Sequence, residues 1–390
     1  MQAARCVACD GCDWWDAVLN AAVPSLRTAQ LAGNFFERNG DAERAASLYD
    51  SLRSVSSRST ILLPKLPRPA PKPIVADARA GLSETLLTLA AALNEQRGVS
   101  GPGSGLGFAR LALRLSPGNS MAALLTAEIL ENHDRREEVT ALLATVPPDD
   151  MLYEAAQIRL ATNLDLAEKT DEAAAGLRKL GERWRDDPEP YLVLGDIYRA
   201  RERFAEAVGA YDEAFRRMGP LQPQHWRQLY YRGISLERSG QWERAEADFK
   251  QALAFDGEQA SVLNYLGYSW VDRGMNIPEA EEMIRKAVAL RPEDGFIIDS
   301  LGWVYYRTGR YPEAVQELEK AVALEPADPT INEHLGDAYW KVGRQNEARF
   351  QWQRALRLEP EKDRVAGIEA KLSCGLNGCG GKAAEKAKGG

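Results

Sequence analysis

The sequence has few cysteines, few histidines, no long apolar run and no excess of basic charge. Its five cysteines, Cys6, Cys9, Cys12, Cys374 and Cys379, all lie at the two ends of 390 residues. Disulfides therefore cannot brace residues 13–373, and packing must hold that stretch together. The three histidines, His133, His225 and His334, are far apart, which excludes a Ser–His–Asp or Cys–His nucleophilic set. No run of 18 apolar residues occurs, so no membrane-spanning helix is expected. Asp and Glu outnumber Lys and Arg by 57 to 49. That balance argues against non-specific nucleic-acid binding, which needs a basic face. The opening "MQAARCVACDGCDWWDAVLN" has no apolar core of an export signal, so the chain as written is expected to stay in the cytoplasm. The 45% hydrophobic content suits a folded chain.

What the sequence does have is a period. In "DSLGWVYYRTGRYPEAVQELEKAVALEP" and "EHLGDAYWKVGRQNEARFQWQRALRLEP", Gly302 pairs with Gly336, Tyr305 with Tyr339 and Gly309 with Gly343. Ala314 pairs with Ala348, Ala321 with Ala355 and Pro326 with Pro360, every pair 34 residues apart. Stepping back from Gly302, the same position falls on Gly267, Gly233, Gly195, Ala161, Ala127 and Leu93. Extra residues sit in the turns "RGMNIPEA" and "GPLQPQHW", and the glycine-rich "GVSGPGSGLG" is read as the turn of the Leu93 unit. A separate unit, "LAGNFFERNGDAERAASLYDSL", has Gly33, Gly40, Ala45 and Tyr49 at the same offsets.

Each unit reads as two helices. Leu301, Val304 and Tyr305 share one face of the first; Ala314, Leu318, Ala321 and Val322 share one face of the second. "RTGR" makes the turn, Pro312 stands in a first helical turn where proline is tolerated, and Pro326 closes the unit. Gly302 and Ala314 are small because the two helices approach closely there. One hairpin cannot bury its apolar face alone, whereas stacked neighbours can.

These offsets resemble the tetratricopeptide repeat, over roughly residues 81–363 and again over 25–52. The resemblance implies an all-α helix-turn-helix solenoid, a right-handed superhelix of about eight units. The stretch from "LNYLGYSWVDRGMNIPEAEEM" to "DPTINEHLGDAYWKVGRQNEARFQWQRAL" further resembles envelope proteins of Gram-negative proteobacteria. Their relatives include outer-membrane lipoproteins that act as adaptors for carboxyl-terminal processing proteases. That likeness implies a periplasmic or outer-membrane location and an envelope protease or assembly complex as partner, although the chain as written carries neither signal nor lipidation site.

The expected organisation is a disordered segment over 1–24, an isolated repeat unit over 25–52, a proline-rich linker over 53–80, a repeat array over 81–363 and a disordered tail over 364–390. Pro64, Pro67, Pro69, Pro71 and Pro73 favour an extended spacer or a strap along the array.

Candidate chemistry is sparse. Thiolates two residues apart in "CVACDGC" can share a metal, but Cys6, Cys9 and Cys12 have no fourth ligand nearby. "GPGSGLG" lacks the Gly-Lys-Ser/Thr ending of a phosphate loop. "GYSW" has Val271 where a nucleophile elbow needs glycine. No catalytic residue, cofactor or metal is expected. Two rival readings are a metal or redox protein working through "CVACDGC", and the docking half of an enzyme whose catalytic domain is absent from this chain.

The resemblance places the first helix of each unit on the concave face. It directs inward Tyr230 and Arg238; Asn264 and Tyr268; Asp299, Trp303, Tyr306 and Arg307; and Glu333, Asp337, Trp340 and Lys341. Aromatics supply contact area at low entropy cost and charges select register. The expected function is a non-catalytic scaffold or adaptor holding a partner protein or extended peptide in that groove, with self-association open. The chaperone-tail clamp of this family needs Lys and Asn where Asn264 and Tyr268, or Asp299 and Trp303, stand, so that ligand is not expected.

Overall fold

In the computed structural model, residues 12–21, 25–53, 63, 71–95 and 104–376 are described. Among them there are helices and no strand. The chain divides after Gly219 into two compact units. The first begins with α1 (Cys12–Ala21) and continues as five hairpins: α2 (Leu26–Arg38) with α3 (Ala42–Arg53), α4 (Ala78–Glu95) with α5 (Ser104–Leu115), α6 (Ser120–Glu131) with α7 (Arg136–Leu143), α8 (Tyr153–Leu166) with α9 (Thr170–Arg183), and α10 (Glu189–Ala200) with α11 (Phe204–Met218). The second has four hairpins: α12 (Trp226–Arg238) with α13 (Trp242–Phe255), α14 (Ala260–Arg273) with α15 (Ile277–Leu290), α16 (Gly295–Arg307) with α17 (Tyr311–Leu324), and α18 (Pro329–Lys341) with α19 (Gln345–Arg357). A single helix, α20 (Lys362–Cys374), follows.

Two local devices repeat in register. Seven residues after the small position, the turn takes a left-handed residue: Gly40, Asp134, Glu168, Glu202, Gly240, Gly274, Gly309 and Gly343. There the helix ends in a Schellman turn. In the α16 turn, Arg310 N–H donates to Tyr305 carbonyl at 2.8 Å and Gly309 N–H to Tyr306 carbonyl at 3.1 Å. Sixteen or seventeen residues after the small position, a large side chain of the second helix lies against it. A Cβ on Gly195, Gly233, Gly267, Gly302 or Gly336 would lie 2.5–2.8 Å from Tyr211, Phe249, Ile284, Leu318 or Trp352 respectively. The glycine is a socket for that side chain.

Hairpins stack through both layers. The second helix of one hairpin packs on the first helix of the next, as α15 on α16 and α17 on α18. Successive first helices also meet, α14 with α16 and α16 with α18, more closely than successive second helices do. First helices therefore form the inner side of the second unit. Guanidinium–carboxylate bridges tie neighbours at the helix ends: Arg273 to Glu237 at 3.0 Å, Arg307 to Asp272 at 3.4 Å and Arg310 to Glu281. Arg310 and Arg344 also lie over the Tyr305 and Tyr339 rings at 4.4 and 4.0 Å.

The ends correct the expected disorder in part. Cys12–Ala21 is helical because Trp15 and Leu19 pack on the cluster around Phe36 and Tyr49. Lys362–Cys374 is helical because it buries Ile368 and pairs Arg364 and Lys371 with α18. Leu63 is buried in the α2–α3 cluster. Asn34 bonds the Lys72 carbonyl at 2.9 Å and accepts from the Ile74 N–H at 3.2 Å. The two ends of the proline-rich segment are thus strapped to that hairpin. Cys6, Cys9, Cys379, Pro64, Pro67, Pro69 and residues 101–103 of "GPGSGLG" lie outside the described residues.

Candidate functional site: the inner face of the second unit

The inner row is built by α12, α14, α16 and α18, whose register the glycine sockets fix. Its twelve candidate residues do not share one environment. Tyr230 is half-buried, with ring centroids 6.2 Å from Phe249 and 6.0 Å from Tyr265. It packs one hairpin on the next. Arg307 and Lys341 are exposed at the ends of their helices; Arg307 reaches Asp272, and the Lys341 ammonium lies 5.7 Å from the Tyr311 ring centroid.

Asn264, Tyr268, Trp303 and Tyr306 are half-buried. The Trp303 indole stacks on the Tyr306 ring at 4.8 Å and on the His334 imidazole at 4.0 Å, nearly parallel to both. Asn264 Oδ1 and Trp303 Nε1 are enclosed and have no hydrogen-bond partner. The Tyr268 and Tyr306 hydroxyls are pushed well above the ordinary phenol range, first by burial and then by nearby carboxylates, Asp299 for the one and Asp337 for the other.

The three inner carboxylates are already engaged. Asp299 is 6% exposed and its two oxygens lie 3.0 and 3.1 Å from Nδ1 of the buried His334. Asp337 accepts from Trp352 Nε1 at 2.9 Å and from Lys371 Nζ at 2.7 Å. Glu333 accepts from Lys371 at 2.6 Å and from the Arg364 guanidinium at 2.8 and 2.9 Å. Burial opposes ionisation of Glu333, but Lys371 and Arg364 outweigh it and hold its carboxyl below the usual range. For Asp337 burial wins, and its carboxyl lies above the usual range despite Lys371. Trp340 has its ring centroid 5.4 Å from that of Trp352 and lies against Gly375. The exposed Arg238 lies 3.8 Å from Glu361, just before α20.

The structure thus brings Tyr268, Asp299, Trp303, Tyr306, Glu333 and Asp337 into one connected cluster, and puts Tyr230 and Arg307 into seams between hairpins. Three members were missed from sequence: His334, Arg364 and Lys371. His334 sits one position beyond Glu333 and was passed over for its neighbour. Arg364, Ile368 and Lys371 fall on one helical face at spacings of four and three, a signal in "KDRVAGIEAKL" that marks an amphipathic helix. Among the described residues no group of three His, Cys, Asp or Glu side chains is placed to hold a metal ion. No helix among them is long and apolar enough to cross a membrane.

Family models described as "Tetratricopeptide repeat" match residues 158–224 and 230–295, and one described as "TPR repeat" matches 302–343. A TPR repeat-containing protein of Pseudomonas aeruginosa is 33% identical over 165 residues, which are 42% of this chain and 27% of that protein. The chain therefore spans about a quarter of that relative's length. A solved tetratricopeptide repeat protein from Parabacteroides merdae superposes with a TM-score of 0.50 at 15% identity, covering 76% of this chain and all of that one. Repeats of this family and fold are typically non-catalytic.

Proposed function

We propose that this chain, whose residues 158–224, 230–295 and 302–343 match tetratricopeptide repeat models, is a protein–protein interaction scaffold that holds its partner on the inner face of the second unit. The partner lies across α14, α16 and α18, against Asn264, Tyr268, Trp303 and Tyr306 and beside Glu333 and Asp337. The observation that carries this reading is the half-buried stack of Trp303 on Tyr306 and His334, with the half-buried Tyr268 on the neighbouring helix. A partner's side chains cover these rings. Arg238, Arg307 and Lys341 form the charged rim that selects register. By the resemblance of residues 261–356 the chain works at the cell envelope and presents substrates to a partner enzyme. Native full-length protein fractionating with cytosol would refute that narrower version.

The test is capture from native lysate, envelope fractions included, by the full chain and by an Asn264→Ala/Tyr268→Ala variant of equal helical circular dichroism. A protein retained by the first and lost by the second is the expected result. Equal retention by both would move the binding surface elsewhere.

A further inference from the structure

We propose that α20 is a displaceable occupant of the inner face, and that the partner bound there is a helix carrying two basic side chains two turns apart with an aliphatic one between them. This rests on the inner-face reading above and names the chemistry of its partner.

The position of α20 carries the inference. Its entry residue Glu361 approaches Arg238 of α12. Arg364 and Lys371 grip Glu333 and Asp337 of α18, and the charge on Arg364 is felt at Tyr268 of α14. The helix therefore lies over the row that a partner would use. It packs on α19, but Ile368 is its one buried residue, whereas α16 and α18 each bury nine. Arg364 and Lys371 remain 35% and 22% exposed while the carboxylates beneath them are 5% exposed. The floor is acidic and buried, and its cover is basic and wet. A cover of that kind yields to a competitor of the same charge pattern, because a partner helix with Arg or Lys at both positions reproduces every ion pair that α20 makes.

The probe is a fluorescein-labelled peptide of residues 361–374 carrying Cys374→Ser, read by anisotropy against the full chain. The tethered α20 competes at an effective concentration of about millimolar, so the unaltered chain binds the peptide weakly. Arg364→Ala/Lys371→Ala in the chain frees the floor and tightens binding by about tenfold or more. Adding Glu333→Gln/Asp337→Asn abolishes it, as does reversing both basic charges in the peptide. Equal affinity for the unaltered and the Arg364→Ala/Lys371→Ala chains would overturn the proposal. So would hydrogen exchange in residues 362–374 as slow as in α16, since a fixed cap is no occupant to displace. If the peptide result fails while Asn264→Ala/Tyr268→Ala still loses the natural partner, the inner-face reading stands and only this inference falls.

Discussion

The hairpins α6/α7 and α8/α9 make the same turn as α16/α17 and α18/α19 with different residues. Where the later pair has Gly302 and Gly336, the earlier has Ala127 and Ala161. Where the later pair turns on Gly309 and Gly343, the earlier turns on Asp134 and Glu168, at φ 57° and 62°. The large partner sixteen residues on is Leu143 or Leu177 in one pair, Leu318 or Trp352 in the other, and all four are buried. The repeat is therefore a set of spatial demands: a small residue, a left-handed turn seven later, a large residue sixteen later. Glycine meets the first two best, but alanine suffices where the facing side chain is less intrusive.

The sharpest way to break the later pair is to fill its socket. A Cβ at Gly336 already falls 2.5 Å from Trp352, a buried indole with no free space to retreat into. Gly336→Leu is expected to cost roughly 3 kcal/mol or more. Gly302→Leu acts the same way against Leu318, 2.6 Å from its would-be Cβ. Thermal unfolding checks both, and an unchanged midpoint would mean that the socket is misassigned. In the earlier pair, Ala161→Gly should cost only about 1 kcal/mol, the helix-propensity penalty.

The next largest effect separates the pairs by charge. Asp337→Ala strips the acceptor from the buried Trp352 indole and leaves Lys371 with Glu333 alone, so a loss of about 1–3 kcal/mol is expected. Chemical denaturation measures it. Asp337→Asn retains an acceptor for the indole, so it should recover part of the loss.

A smaller effect is pH-dependent and belongs to the last hairpin. Glu333 has a folded pKa below its unfolded value of about 4.3. Its contribution is complete above that value and is lost as pH falls through the folded one. Asp337, shifted upward by burial, has the opposite sign: ionising it opposes folding as pH rises through its folded value. Unfolding midpoints of the unaltered chain and Glu333→Gln should therefore differ most above the unfolded value of about 4.3 and draw together as pH falls below it. A gap that does not narrow on acidification would show that the loss comes from packing.

Most of the fold was legible because its demands are local. Gly302, Gly309 and Leu318 are all read within one hairpin, and their recurrence supplies the stacking. The inner face was less legible because its charges are settled by α20, which keeps the spacing of about 34 residues from α18 but was read as part of the tail. Asp299, Glu333 and Asp337 occupy inward register positions, but His334 of the next hairpin and Arg364 and Lys371 of α20 close over them. The period reaches position 371, 34 residues after Asp337, but does not by itself say that a lysine there closes on Glu333 and Asp337. The hold of Asn34 on Lys72 and Ile74 was not legible, because it depends on one amide thirty-eight residues away in sequence.

The smallest expected effect tests the comparison at its turns. Glu168 is exposed and holds a φ of 62°, where a non-glycine side chain is strained by about 1 kcal/mol. Its turn still forms the full Schellman pair, Lys169 N–H to Leu164 carbonyl and Glu168 N–H to Asp165 carbonyl, both at 2.9 Å. Nothing in that bonding needs the glutamate side chain. Glu168→Gly should therefore stabilise the chain by up to about 1 kcal/mol, less whatever glycine adds to the freedom of the unfolded chain. Asp134→Gly should gain less, because aspartate tolerates the left-handed region better. Gly309→Ala should lose about as much as Glu168→Gly gains. If Glu168→Gly instead destabilised the chain, the acidic turns of the earlier hairpins would hold by a side-chain interaction, and the two pairs would differ in physics as well as in residues.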